Sequence, residues 1–501
     1  MAPVVKAAPP RTTSSAPGDK GLKPGALGYI SNIVIGVAST APAYSLAATL
    51  GFIVAVKGVG IHAPAVLLVS FVPMLLIALS YKYLNRADPD CGTSFAWTTR
   101  AFGPWVGWIN GWAIFIADVL VMASLSVIAS QYTFLLFGWS SAENSTLALV
   151  VGAVVWIALM TWICYRGIEL SARIQLFLLS AEVVILAIFA VVALVKVYAD
   201  SPARSLDVAW SWFNPFGLSL NALADGTLLG IFIYWGWDSG VAVNEESEDS
   251  TEGPGKAAVV STILLVLIYL VVATASQAYG GTASLAANSN DVLSVLGTHV
   301  FGSPWDKLLI IAVLTSASAS TQTTILPTAR TTLSMARWEA LPGVFGRIHP
   351  RYLTPTVSTI GMGALSIAWT VLLVAFNPAQ NLLGDSITAI GFPIALYYGC
   401  TGFASAWYFR RQLGRSFGVF LRVGLLPLLG GVLMAVVFVL AFHDYDLTDA
   451  GYSSPVLGIQ MPIIIGIGTL LLGVPLAVLT ALRMPAFFRR KTEVSPADIE
   501  L

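Results

Sequence analysis

The sequence predicts an all-α polytopic membrane protein with twelve transmembrane helices. Three observations carry that prediction. Mean hydropathy is +0.80. Only 10% of the 501 residues are charged. The chain also holds many apolar runs of about 20 residues, the length a helix needs to cross a bilayer. The predicted spans lie near 25–56, 63–84, 103–137, 146–164, 170–198, 218–243, 257–279, 305–336, 355–376, 382–408, 418–442 and 456–482. A formal net charge of zero argues against a nucleic-acid partner, whose footprint is a basic surface. Cys91, Cys164 and Cys400 form no C-x-x-C pair, so neither a disulfide framework nor a metal site is expected. No G-x-S-x-G, H-E-x-x-H or Walker motif occurs, which leaves hydrolytic chemistry, ATP drive and a bound cofactor without support and an enzyme unexpected.

In chain order, residues 1–23 are rich in Pro, Ala, Ser and Thr and lack an apolar core. They read as a disordered tail rather than a signal peptide. Lys and Arg then concentrate in alternate connections: Lys20 and Lys23 before span 1, Lys82, Arg86 and Arg100 after span 2, and Arg166 and Arg173 after span 4. The pattern continues with Arg337, Arg347 and Arg351 after span 8, Arg410, Arg411, Arg415 and Arg422 after span 10, and Arg489, Arg490 and Lys491 in the tail 483–501. Positive charge marks the cytoplasmic side, so both termini are expected there, in the cell membrane. The loop after span 6 carries five acids, Glu245, Glu246, Glu248, Asp249 and Glu252, but acids weigh little in this rule.

Two spans are irregular. Span 6 contains Phe232-Ile233-Tyr234-Trp235-Gly236-Trp237-Asp238-Ser239-Gly240, in which two glycines bracket a carboxylate among aromatic residues. Span 1 contains Ile35-Gly36-Val37-Ala38-Ser39-Thr40-Ala41-Pro42, ending in a proline that cannot donate to the helix ladder. Irregular backbone and charge at membrane depth are tolerated where they face a cavity inside the protein. Paired interruptions in corresponding spans point to the midplane binding site of an inverted-repeat transporter. On that reading 24–198 is a first five-helix repeat, 218–408 a second, and 418–482 two appended helices. Taken singly, each span also reads as a kinked structural helix, with Asp238 satisfied by neighbours.

Several stretches together resemble the amino acid–polyamine–organocation permeases. They are Asp88-Pro89-Asp90-Cys91-Gly92-Thr93-Ser94-Phe95-Ala96-Trp97 with Ala101-Phe102-Gly103-Pro104 and Gly111-Trp112, then Tyr165-Arg166-Gly167-Ile168 with Ser171-Ala172-Arg173-Ile174-Gln175. Gly236-Trp237-Asp238 leading to Glu245-Glu246 follows, and then Ala329-Arg330, Met335-Ala336-Arg337, Leu341-Pro342, His349-Pro350-Arg351 and Thr354-Pro355. Their order and spacing carry the resemblance across most of the chain. One departure stands out: the family's small G-x-G of helix 1 is here Gly36-Val37-Ala38.

The breaks suggest their own chemistry. A half-helix N-terminus exposes N–H groups suited to a carboxylate, and freed carbonyls suit an ammonium or metal cation. Val37, Ala38, Ser39 and Thr40 would supply such groups from span 1, and Tyr234, Trp235, Gly236 and Trp237 from span 6. The aromatics can also hold an alkylammonium by cation–π attraction or serve as packing. The resemblance implies that this part of helix 6 lines the substrate cavity and carries a gate. Asp118, about fifteen residues into span 3, sits near the midplane at about 1.5 Å per residue. Ionised against lipid it would cost at least ~2.5 kcal/mol, so it should face the interior. The resemblance places it in the substrate pocket; alternatively it is a protonated carboxyl bonded to a neighbouring helix. With Asp238 it would make the cavity strongly negative and favour a cationic substrate. Glu182 lies mid-span where proton-coupled relatives commonly carry a Lys. It reads as a proton carrier, as a Na⁺ ligand together with hydroxyls of Ser316-Ala317-Ser318-Ala319-Ser320-Thr321-Gln322-Thr323-Thr324, or as a structural hydrogen-bonding group between spans. Thr324 is placed near substrate by the resemblance; most other hydroxyls of that run suit helix–helix contacts.

The expected function is therefore alternating-access transport of amino acids or related amines and polyamines, with the proton as first coupling ion and Glu182 and Asp238 as the proton-coupling groups. Exchange and Na⁺ symport are the alternatives. A membrane sensor or channel is the reading from another class; a channel would show a continuous polar stripe along several helices.

Overall fold

The computed structural model describes residues 20–376, 379–447 and 453–490. Much of the two expected tails, residues 1–19 and 491–501, lies outside them. Eleven stretches are long and apolar enough to cross a membrane: Tyr29–Ala55, Gly60–Ala87, Pro104–Phe137, Thr146–Arg166, Ile168–Asp200, Gly253–Ala287, Lys307–Arg337, Thr356–Val374, Gly384–Tyr408, Phe417–His443 and Met461–Arg483. They correspond to predicted spans 1–5 and 7–12. Span 6 is the remaining one, split into Leu220–Tyr234 and Ser239–Ala242. No β-strand forms among the described residues. The chain is thus all-helical and multi-pass. Helices also lie outside the spans, Ser94–Phe102 before span 3 and Val292–Phe301 before span 8.

Burial grades the spans from a first, innermost group to an outermost one. The richest stretches of spans 1 and 3 are 94% buried, while those of spans 4, 11 and 12 are 33% buried. The first group therefore forms the centre, and the second presents its apolar side chains outward. Spans 3 and 8, 2 and 7, and 10 and 11 pack extensively along their lengths.

The break in span 1 follows from its sequence. Tyr29–Ser39 ends, Ala41 takes a left-handed conformation (φ 48°, ψ 67°), and Pro42 starts the second half, Pro42–Ala55, where its missing N–H costs nothing. In the membrane interior each freed backbone group must be satisfied within the protein. The Thr40 hydroxyl donates to Val37 O at 2.7 Å, Ser45 Oγ to Thr40 O at 2.6 Å, and Ser320 Oγ of span 8 to Ser39 O at 2.7 Å. On the other side of the break, Ala43 N donates to Glu182 Oε1 at 2.7 Å and Tyr44 N to Ser316 Oγ at 3.2 Å.

Span 6 breaks at a glycine. Trp235 is extended (φ −72°, ψ 142°), and Gly236 has φ 120°, a conformation L side chains rarely adopt. A Cβ on Gly236 would also stand 2.8 Å from the Ser39 carbonyl carbon and oxygen. The two breaks are thus pressed together. The freed Ile233 carbonyl accepts from Tyr269 Oη of span 7 at 2.6 Å.

Within 20–23, read as tail from composition, Lys20 and Leu22 are each 6% exposed, while Gly21 is exposed and Lys23 half-buried. Lys20 finds carboxylate partners that composition does not reveal.

Candidate functional site: an acidic cavity between two broken helices

At the level of the breaks a small cavity of about 10 Å³ is enclosed by Ser39, Ile114, Asp118, Trp235, Gly236, Asp238, Ser239, Thr324, Pro327 and Tyr397. Spans 1, 3, 6, 8 and 10 all contribute. That volume holds about one water at most, so this conformation is closed around the site. Two lining residues are carboxylates, and among the described lining residues none is a Lys or Arg.

Asp238 is held by three phenols. Tyr398 Oη donates to its Oδ1 at 2.9 Å, Tyr397 Oη to Oδ2 at 3.1 Å and Tyr81 Oη to Oδ2 at 3.4 Å. Hydrogen bonds to a carboxylate favour its ionised form and offset the cost of burial. Aromatic packing fixes the donors: Tyr81 meets Trp237 edge-on with centroids 5.0 Å apart, and Trp237 stacks on Tyr398 at 5.2 Å. Trp235 Nε1 donates to Tyr397 Oη, which ties the span 6 break to span 10. Asp118 Oδ2 accepts from the Thr328 hydroxyl of span 8 at 2.5 Å. Thr324 O, one turn back on the same helix, lies 2.8 Å from that hydroxyl and is its alternative acceptor.

Of the residues singled out in the sequence, Ser39, Asp118, Trp235, Gly236, Asp238 and Thr324 line the cavity. Val37, Ala38 and Thr40 are buried behind it, with Thr40 turned onto its own helix. Tyr234 packs against Tyr269 and Phe71, and Trp237 against Tyr81 and Tyr398. Their side chains hold the break in shape. Sequence reasoning missed Tyr81, Tyr397, Tyr398 and Thr328. The adjacent pair Tyr397-Tyr398 in an apolar run was the one signal for them, but nothing in the sequence says which acid it reaches.

Glu182 lies outside this cavity, fully buried. Its Oε1 accepts from Ala43 N at 2.7 Å and Ser316 Oγ at 2.8 Å, so it caps the N-terminus of the second half of span 1. Its Oε2 is buried with no hydrogen-bond partner among the described residues. The structural bonds to spans 1 and 8 are thus made by one oxygen, while the other makes none.

Beyond the cavity, on the face where residue 20 lies and the described residues begin (the N-terminal face), charge is dense. Arg330 of span 8 meets Glu246 through two bonds, Nε–Oε2 at 2.7 Å and Nη2–Oε1 at 2.9 Å, with both side chains almost fully buried. Asp90 accepts from Ser334 Oγ at 2.6 Å and Trp338 Nε1 at 3.2 Å. Lys20 pairs with Asp90 at 3.1 Å and with Glu245. Burial alone would raise the Asp90 carboxyl, but Lys20 and the donors Ser334 and Gly92 hold it below its usual range. Burial, with Asp90 nearby, pushes Glu245 up despite Lys20. Burial would lower the Lys20 ammonium, yet the fields of Cys91, Asp90 and Glu245 outweigh it and hold it well above its usual value. Asp90, Cys91 and Glu245 bring three donor atoms within 4.8 Å of one another, and the Lys20 ammonium already supplies a cation to both carboxylates.

Comparison with known proteins agrees with this geometry. A family model described as "Amino acid permease" matches residues 27–469. An arginine/ornithine antiporter of Latilactobacillus sakei is 24% identical over 72% of this chain and 76% of its own length. A branched-chain amino acid permease of Bacillus subtilis is 23% identical over 62% of this chain and 66% of its own length. A low-affinity putrescine importer of Escherichia coli is 20% identical over 75% and 80%.

Proposed function

Because this chain belongs to the amino acid permease family, we propose that it carries amino acids or amines across the cell membrane by alternating access, with the substrate's ammonium taken up between Asp118 and Asp238. The observation that carries this reading is the cavity itself. Two carboxylates face a closed space between two broken helices, and no Lys or Arg lines it. Charge at that depth needs a partner, and three phenols already serve Asp238. Asp118, with Thr328 as its hydrogen-bond donor, is the group left to meet a cation. The cavity's small volume makes the structure a closed state, which must rearrange before substrate enters or leaves. The relatives include transporters named for cationic substrates, arginine with ornithine and putrescine, and cationic amino acids or polyamines are the preferred class.

Proton coupling is assigned to Glu182, whose free oxygen sits against the hinge of span 1. Loss or gain of a proton there changes the charge at the N-terminus of the second half-helix, and so the balance between states. Exchange is the second reading, favoured by the antiporter relative. Both termini are placed in the cytoplasm from the Lys/Arg distribution.

The test is competition uptake in proteoliposomes against a panel of neutral and basic amino acids and polyamines, for wild type and Asp118→Asn. A cationic substrate should compete best. Its KM should rise about ten- to a hundredfold in the variant, the ~1.5–3 kcal/mol of a lost charged hydrogen bond, while neutral amino acids change far less. Neutral substrates alone, carried equally by both proteins, would overturn the cationic assignment and leave Asp118 a structural acid.

A further inference from the structure

Residues 20–28 cross the N-terminal face as a strap. Ala26 N and Leu27 N donate to Glu246 O at 2.8 and 3.0 Å, and Glu248 N returns to Leu27 O at 2.9 Å. The strap is thereby stitched to the segment that follows span 6. Leu22 packs with Cys91, Leu333 and Ile348. Lys20 O accepts from Arg337 Nη2 at 3.1 Å, and Lys20 Nζ reaches Asp90 and Glu245. A single lysine thus joins the strap to the connection between spans 2 and 3, to the segment after span 6, and to the end of span 8.

The position matters because these groups lie on the line from the cavity to the N-terminal face. Along span 8, Thr324 lines the cavity, Arg330 binds Glu246 and Ser334 binds Asp90. At about 1.5 Å per residue these sit about 9 and 15 Å beyond Thr324. Arg330 and Lys20 differ in how their charges are held. The Arg330 fork is carried by span 8 itself and makes two bonds to one carboxylate, that of Glu246. Lys20 is a point charge on a flexible stem, carried by a strap rather than a span, and shared between two carboxylates. A buried ion pair recovers little net free energy because desolvation nearly cancels the attraction. Such a contact can open readily when both sides regain water together. With Lys20 withdrawn, Asp90 and Glu245 would be two like charges in close contact.

We propose that Lys20 is a gating residue: its ammonium latches the N-terminal face shut, and the strap must lift Lys20 off Asp90 and Glu245 before substrate passes that face. This rests on the transport reading above, but the latch can be tested without a transported substrate. Cys91 is fully buried beside the latch, and its N–H donates to Glu245 Oε1 at 2.9 Å. It is a natural reporter once Cys164 and Cys400 are replaced by Ser.

The experiment is the rate of Cys91 modification by a maleimide in purified full-length protein, with Tm measured in parallel. Lys20→Gln should speed modification at least tenfold at near wild-type Tm, Lys20→Arg should return it toward wild type, and Glu245→Gln should speed it as Lys20→Gln does. Unchanged rates in both Lys20→Gln and Glu245→Gln would overturn the latch. So would faster modification that tracks a lowered Tm in both variants, which would make Lys20 a structural contact only. Because no substrate enters this assay, its failure is distinct from failure of the amine reading.

Discussion

On the N-terminal face, Arg330 and Glu246 meet away from solvent, Lys20 bridges Asp90 and Glu245, and Arg100 pairs with Asp88. The opposite face is joined by other contacts: Gln277 Nε2 to Ile61 O at 2.9 Å, Tyr279 Oη to His299 O at 2.8 Å, His62 Nδ1 with Ser211 O at 3.0 Å, and Tyr132 Oη to Asp291. That face also carries an open groove of about 520 Å³ lined by Arg204, Leu206 and the kinked end of span 7 around Gly281. Charge closes one face, and neutral bonds with packing close most of the other. Buried charges are costly to separate singly but can be released together into water. Closure by packing and single hydrogen bonds is lost in small increments. The difference points to two kinds of closure, one released all at once on the N-terminal face and one loosened stepwise on the opposite face.

The sharpest way to break that comparison is Arg330→Ala. It leaves Glu246 buried and unpaired, and removing one partner of a buried pair typically costs ~3–5 kcal/mol. A large fall in Tm, partly recovered by the further change Glu246→Gln, is the expected outcome. A change within error would mean that the N-terminal face does not depend on this pair.

Glu182→Gln probes the level between the faces. The amide oxygen can still accept from Ala43 N and Ser316 Oγ, so the cap on span 1 and the fold should persist. Accumulation driven by a pH gradient should disappear, while substrate binding and exchange remain. Uptake against a gradient with unchanged pH dependence would remove Glu182 from coupling, and Na⁺-dependent wild-type uptake at fixed pH would transfer the role to sodium.

The smallest effect is expected on the opposite face. Tyr132→Phe removes one hydroxyl from Asp291, which keeps the Ser294 N–H at 3.2 Å. A loss of about 0.5–1.5 kcal/mol is the scale for one such bond, read as a small shift in Tm. A loss as large as that of Arg330→Ala would erase the distinction between the faces.

Much of this molecule is legible in the order of its residues. Apolar runs of bilayer length mark the spans, because a backbone in lipid must satisfy its own hydrogen bonds. Pro42 after a run of small residues and Gly236 beside Asp238 mark the two breaks, because proline lacks a donor and glycine alone takes φ near 120° at no cost. Asp118, Asp238 and Glu182 announce themselves as acids at membrane depth. Which groups each acid bonds was decided only by the tertiary structure. Tyr81 and Tyr398 come from spans 2 and 10, yet both reach Asp238, and Glu182 of span 5 caps a half-helix of span 1. Lys20 sits in a stretch that composition reads as tail, and it becomes buried because Asp90 and Glu245, far away in the chain, converge on it. Local sequence sets where a helix must bend or hold a charge. The partner that satisfies the charge depends on which helices pack together, and that is a property of the whole bundle.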